Sequence, residues 1–279
     1  MNIECVRRSA LAVVVAAGMA ACNSSTPVAP PPPSNVANTP PTIESLVIAG
    51  TRAEAGQPIQ VAATVRDLET SPDQLVYTWS SSPGGGTFSF TGTGATTMWT
   101  PPIGETTPAV HTVTVTVTET YITSTGQPLV HTVSRSTSVN YNDSPAETIA
   151  IAMQFINDLG TSSVSPDECV RNFSDTCSGK AEERVQIAQH RVDFTIESAG
   201  FARTPAARFD GNLQNGVVEG PCIFIDRPNS GPNMGRRQSV SGTCHLTTVY
   251  QDFRWYLCDS SFLPPHETVF LSLRSRVPG

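Results

Sequence analysis

The chain is nearly devoid of lysine: Lys180 stands alone among 17 basic residues. Positive charge is not gathered anywhere either. Residues 42–141 hold 7 acidic and 3 basic residues, and residues 142–279 hold 16 and 12, so each segment carries a net charge of −4. A nucleic-acid partner needs a concentrated basic face, and the sequence offers none. No apolar run reaches the roughly 20 residues of a membrane-spanning helix. Also missing are His-Glu-x-x-His, Gly-x-Ser-x-Gly, the P-loop and Cys-x-x-Cys. Their absence removes the motif-based grounds for a zinc peptidase, a serine hydrolase, a nucleotide hydrolase or a thiol oxidoreductase. Residues 42–141 lack cysteine altogether, so a core built there must hold by burial alone.

What is present begins with a leader. Arg7 and Arg8 precede an apolar run over residues 9–21, too short to span a membrane and suited to the hydrophobic region of a signal peptide. The run ends in Met19-Ala20-Ala21-Cys22, which resembles a bacterial lipobox. The resemblance implies that residues 1–21 are removed and that Cys22 is acylated with palmitate-type chains. Each buried CH₂ contributes about 0.8 kcal/mol, so several chains on one cysteine anchor stably. Asn23, where retained lipoproteins carry Asp, implies the outer membrane, with the cargo facing the periplasm or the cell surface. Residues 22–41 are proline-rich and read as a tether. Residues 24–41 in polyproline II form would reach on the order of 55 Å at about 3.1 Å per residue.

Residues 42–141 read as all-β. Segments rich in Val, Thr and Ile recur at 43–48, 58–66, 75–81, 86–91, 96–100, 110–119 and 130–141, punctuated by Gly, Pro, Ser and Asp. Such a series of short strands predicts a β-sandwich. In Val113-Thr114-Val115-Thr116-Val117 the alternation assigns valine to a buried face. Val65-Arg66-Asp67-Leu68-Glu69, followed by Asp73-Gln74-Leu75-Val76-Tyr77-Thr78-Trp79, resembles the acidic turn and Leu-x-Tyr-x-Trp strand of polycystic-kidney-disease (PKD) and related Ig-like modules. Trp99 in Met98-Trp99-Thr100-Pro101-Pro102 recurs in such domains. The usual Gly-Asp-Gly is replaced by Ser82-Pro83-Gly84-Gly85-Gly86, so Ig-like is the fitting name. Asp67, Glu69 and Asp73 are candidate calcium ligands, since hard cations take clustered carboxylates. The competing reading is a turn whose acids bind their own backbone. No other cofactor is expected. His111 and His131 read as surface or edge residues.

After Tyr141 the period changes. Ser144-Pro145-Ala146-Glu147 predicts a capped helix with Ile149, Ala152, Met153, Ile156 and Leu159 on one face and Gly160 as its stop. A second box, Ser165-Pro166-Asp167-Glu168, opens a short helix, and a third helix is expected over 180–189. Val192, Phe194 and Ile196 alternate with polar residues and predict a half-buried strand. Further strands are expected near 204–210, 215–226, 237–249, 252–262 and 267–275. Helices followed by an antiparallel sheet predict an α+β domain over 142–279. That order resembles the nuclear-transport-factor-like (SnoaL, ketosteroid-isomerase-like) cone, in which helices cover a curved sheet. The resemblance implies a pocket between helices and sheet.

Five cysteines fall in this segment: Cys169, Cys177, Cys222, Cys244 and Cys258. Cys222 and Cys244 lie symmetrically about Asn233, and Cys244 and Cys258 about Gln251. Those three are expected at one level on neighbouring strands, two of them bonded. Cys169 and Cys177 are expected to form the other bridge, leaving one buried thiol. For the pocket, His245 is the leading candidate, with Tyr256 and His190 behind it. The expectation is a non-enzymatic envelope protein, anchored to the membrane by lipid. Its sandwich would serve as spacer or binding surface, and its second domain would bind a small molecule or a protein. The alternatives are an enzyme of the ketosteroid-isomerase-like kind, which requires an acid/base pair in the pocket, and a calcium-dependent adhesion module.

Overall fold

The computed structural model describes residues 37–90 and 94–263. Cys22, the leader and tether, and the strand expected at 267–275 lie outside them. Strands dominate the regular structure.

Eight strands come first: β1 (Thr42–Ile48), β2 (Arg52–Glu54), β3 (Ile59–Arg66), β4 (Val76–Ser82), β5 (Thr87–Phe90), β6 (Thr96–Thr100), β7 (Ala109–Ile122) and β8 (Pro128–Asn142). They form two four-stranded sheets, ordered β1-β3-β6-β5 and β2-β8-β7-β4. The Val–Thr alternation of β7 does the sorting. Val113, Val115 and Val117 are fully buried, each contributing on the order of 1.5 kcal/mol. The intervening threonines face out, where Thr114 and Thr116 hydrogen-bond Ser136 and Ser134 across the ladder. Trp99 is fully buried, and the Trp79 indole N–H donates to the Gly94 carbonyl at 2.8 Å.

One expectation fails in this part. His111 is neither surface nor edge: it is fully buried, tilted against Trp99 and edge-on to Tyr141. It falls in phase with Val113 on β7, so the strand aims it inward, and its Nε2 lies 2.9 Å from Glu105 Oε2. His131 pairs with the buried carboxylate of Glu119 at 3.1 Å. Strand β2, too short for any alternation to register, went unpredicted. It pairs in parallel with the end of β8.

Three helices follow, α1 (Ser144–Leu159), α2 (Pro166–Cys169) and α3 (Gly179–Asp193), and then β9 (Phe194–Phe201), β10 (Ala206–Phe209), β11 (Asn215–Pro228), β12 (Gln238–Gln251) and β13 (Arg254–Leu263). All five strands pair antiparallel, in the order β10-β11-β12-β13 with β9 also on β11. Ala152, Phe155, Ile156 and Leu159 of α1 and Ile187 of α3 pack against Val218, Cys222, Leu246, Leu257 and Phe262 of the sheet. Ser165 and Glu168 form the expected capping box of α2. The cap of α1 is Asp143 instead of Ser144: its side chain accepts from Ala146 N–H at 3.0 Å. Gly160 ends α1 for a further reason, because a Cβ there would lie 2.1 Å from the Ala199 nitrogen. Helix α3 runs on to Asp193, so Val192 is an exposed helical residue, not a strand residue facing the core. Met153, expected on the apolar face of α1, is also exposed.

The described residues 38–90 and 94–263 form one compact unit, and β2 provides the joint between its two cores. The Arg52 and Glu54 side chains pair at 2.9 Å with only 7% and 11% of their surface exposed. Glu54 accepts hydrogen bonds from the Ser144 backbone N–H and hydroxyl at 3.1 and 2.8 Å. The Trp255 indole N–H donates to the same hydroxyl at 2.9 Å. The Arg52 guanidinium lies 3.7 Å from the centre of the Tyr250 ring and donates to the Leu213 carbonyl. Ser144 does not cap its helix because its hydroxyl serves this junction.

The cysteines divide differently from expectation. Cys222 bonds Cys244, and Cys177 bonds Cys258, leaving Cys169 as a buried free thiol. In the observed register Cys222 faces Gly242 and Cys244 faces Gly220. The ladder is thus offset by two residues from the symmetric pairing, which preserves the shared face. Cys258 is not level with them. It is the extra residue of an irregularity where Thr247 faces Asp259 and Thr248 faces Leu257. That position takes it off the β12 ladder and leaves it for Cys177, just ahead of α3. Gly179 is required alongside, since its Cβ would sit 2.2 Å from the Cys258 carbonyl oxygen. Burial raises the Cys169 thiol above the usual range, as for an inert core cysteine. Both bridges are chemistry of an oxidising compartment outside the cytoplasm.

Candidate functional site

A cavity of about 80 Å³ lies where α1 and α3 cover the sheet. Its apolar wall comes from Leu159 of α1, Ile187 of α3, Ile196 of β9, Phe224 and Ile225 of β11 and Phe262 of β13. Four polar side chains interrupt that wall: Glu183, Gln186 and His190 of α3 and Asp226 of β11. Each has a reason to be there. Glu183 precedes Ile187 by one helical turn and shares its buried face. Asp226 is in phase with Val218 and Cys222 on β11, so the pleat turns it inward.

The electrostatics are unusual for a core. Asp226 is 1% exposed, and neither of its carboxylate oxygens has a hydrogen-bond partner among the described residues. The nearest charge of opposite sign would be on His190, whose Nε2 is 3.7 Å from Asp226 Oδ2. His190 stands at the mouth, its side chain 34% exposed and its ring stacked on Phe194. Glu183 accepts a hydrogen bond from the Ser260 hydroxyl at 2.6 Å through Oε1, while Oε2 and the Gln186 side-chain oxygen are buried without partners. Burial pushes the Glu183 carboxyl up to about 7; the Asp259 charge adds to this and the Ser260 hydrogen bond opposes it.

That shift fixes a pH dependence. Glu183 holds its proton more tightly folded than unfolded, so its contribution is fully present below about pH 4.5 and is lost as pH rises through about 7. The fall amounts to about 3 kcal/mol. Chemical denaturation of wild type and Glu183→Gln at pH 5 and pH 8 checks this: the wild type loses stability across the interval and the variant loses much less. Equal losses in both would assign the pH dependence elsewhere.

Of the three residues expected in the pocket, only His190 lies there. His245 sits between Cys244 and Leu246, which face the helices, so it points to the opposite side of the sheet. Tyr256 alternates with the buried Trp255 and Leu257, lies under the Arg254 guanidinium at 4.7 Å, and lines a shallow groove with Glu147 and Ile151 instead. The cavity's acids, Glu183 and Asp226, were not anticipated. Their signal was available: each is a charged residue in phase with apolar core positions of its own element.

The three acids of the candidate calcium turn accept hydrogen bonds. Asp67 accepts from the backbone N–H groups of Glu69 and Thr70 at 2.8 and 2.6 Å, Glu69 from the Thr39 hydroxyl at 2.9 Å, and Asp73 from the Ser71 hydroxyl. These acids satisfy local donors, and among the described residues no group of three or more His, Cys, Asp or Glu could hold a metal ion. No helix among the described residues is long and apolar enough to cross a membrane.

No protein-family model matches the sequence, and no curated protein matches it. Solved structures are similar in part. A nuclear transport factor 2 (NTF2-like) superfamily protein from Salmonella enterica serovar Typhimurium aligns over 44% of this chain and 92% of its own, at 11% identity and a TM-score of 0.37. A protein described as a calcium/calmodulin dependent protein kinase II association domain, from Xanthomonas campestris, aligns over 43% of this chain and 88% of its own, at 10% identity and a TM-score of 0.33. At these values the likeness carries no argument.

Proposed function

We propose that this chain is an exported, lipid-anchored envelope protein whose helix-on-sheet domain binds a small molecule in the cavity between its helices and its sheet. In this reading Cys22 carries the lipid, residues 22–41 are the tether, residues 42–141 are an Ig-like spacer, and residues 142–279 are an α+β cone. The observation that carries the binding claim is Asp226, a buried carboxylate with no hydrogen-bond donor, at the wall of an apolar cavity. Burying an ionisable group without partners costs several kcal/mol, a burden on the fold that a ligand bringing donors would relieve. The two disulfides support export. A cavity of about 80 Å³ falls short of the roughly 300–1,000 Å³ of drug-sized sites, so the ligand is small.

Two experiments test this. Nuclear magnetic resonance of the protein with a mixture of small fragments should move the signals of Leu159, Ile187 and Phe224; fragments that leave those signals in place would remove the binding claim. Labelled palmitate should be incorporated in cells and lost in Cys22→Ala; labelling that persists in the variant would contradict the anchor.

One observation favours a second reading. Glu183, held near neutrality, shares the cavity with Asp226 and His190, which meets the requirement for acid–base chemistry. The reading is a ketosteroid-isomerase-like reaction on a substrate far smaller than a steroid. Deuterium uptake from heavy water into small ketones, measured for wild type and Glu183→Gln, decides it: rates equal to buffer alone would dismiss it.

A further inference from the structure

The unpaired groups in the cavity share one chemical character. Both Asp226 carboxylate oxygens, the Gln186 side-chain oxygen and Glu183 Oε2 are buried oxygens, and all four lack hydrogen-bond partners among the described residues. Among the described residues no lysine or arginine lines the cavity. The His190 ring nitrogen is 3.7 Å from Asp226, beyond hydrogen-bond length. Around these acceptors the wall is aliphatic and aromatic: Leu159, Ile187, Ile196, Phe224, Ile225 and Phe262. A ligand that completes this site must bring donors and positive charge at one end and a short apolar body at the other.

We infer that the cavity takes a small primary ammonium compound, its –NH₃⁺ group held by Asp226 and Gln186 and its hydrocarbon part packed against Phe224, Ile187 and Phe262. This deepens the small-molecule reading above and rests on it. An ammonium group supplies three donors, enough for both Asp226 oxygens and the Gln186 oxygen. It neutralises Asp226 inside a low-dielectric wall, where a charge-assisted hydrogen bond is about twice as strong as a neutral one. An anionic ligand of the same size meets the opposite situation, with a buried carboxylate facing it and no lysine or arginine among the described lining residues to receive it. A neutral alcohol offers a single donor and leaves the Asp226 charge uncompensated.

The test uses three probes of one shape: n-butylammonium, n-butanol and butyrate, titrated into the protein at pH 7 by nuclear magnetic resonance. Butylammonium should bind at least roughly tenfold tighter than butanol, and butyrate should not bind. In Asp226→Asn the affinity for butylammonium should fall to that of butanol, with butanol unchanged. If butanol binds the wild type as tightly as butylammonium, or if the ammonium preference survives Asp226→Asn, the ligand class is wrong while the cavity remains a binding site. If none of the three probes moves the Leu159, Ile187 or Phe224 signals, the binding reading falls with it. The comparison of the three probes on wild type needs no variant, so it stands whether or not Asp226→Asn folds.

Discussion

Replacing Cys177 and Cys258 together by alanine should lower the free energy of unfolding by about 4.5 kcal/mol. The bridge spans 81 residues of sequence, and the loss of loop-closure entropy in the unfolded chain grows with the logarithm of that length. The shorter bridge, Cys222–Cys244, spans 22 and is worth about 3.4 kcal/mol by the same relation. The ranking has a structural basis as well. Cys177 fastens the segment ahead of α3 to the irregular point of β13, beside the tight approach of Gly179 to the Cys258 carbonyl. Without the bond, α3 and its cavity residues lose their fixed start. Urea unfolding of the two double-alanine variants measures both values. A Cys177→Ala/Cys258→Ala midpoint equal to wild type, or a larger loss from Cys222→Ala/Cys244→Ala, would contradict the assignment.

Glu54→Ala should cost about 3–5 kcal/mol, the penalty for leaving one member of a buried ion pair uncompensated. The Arg52 side chain is 7% exposed, so its guanidinium cannot turn to water. The Ser144 backbone N–H and hydroxyl lose their acceptor at the same time. Burial holds the Glu54 carboxyl above its usual range, against the Ser144 hydrogen bonds and the Arg52 charge that favour its ionised form. The damage falls on the joint between the two cores, so calorimetry should show one unfolding transition in the wild type and two in the variant. Glu44→Ala, an exposed change on β1, should stay within about 0.5 kcal/mol of wild type. A single Glu54→Ala transition at the wild-type temperature would show that the joint does not couple the cores.

Much of this fold was legible because period and punctuation agree along the chain. The Val–Thr alternation of β7, the Ser165–Glu168 box and Gly160 after α1 each announce a local structure that tertiary contacts leave intact. The failures occur where long-range contacts overrule a local pattern. Ser144 carries a capping signature, yet Glu54 and Trp255 claim its hydroxyl and Asp143 takes the cap. Val192, Phe194 and Ile196 alternate like a strand, but α3 continues through Asp193 before β9 begins. The cysteine pairing was half readable. A two-residue register offset leaves Cys222 and Cys244 on one face, whereas one extra residue at Cys258 sends it to Cys177, which no count along the sequence reveals. For the site, histidine and tyrosine drew attention by residue type, while phase carried the better information. His245 and Tyr256 are out of phase with their buried neighbours; Glu183 and Asp226 are in phase with theirs.

The claim that the cavity exists for a ligand rests on Asp226, and its stability effect tests it most directly. A carboxylate buried for function is held at the expense of the fold, and an apolar replacement removes that burden. Thermal and urea unfolding of Asp226→Leu should show a protein more stable than wild type by roughly 1–3 kcal/mol. If Asp226 were instead a structural partner of His190, its removal would break a needed contact and the variant would be less stable than wild type. A destabilised Asp226→Leu protein would contradict the account.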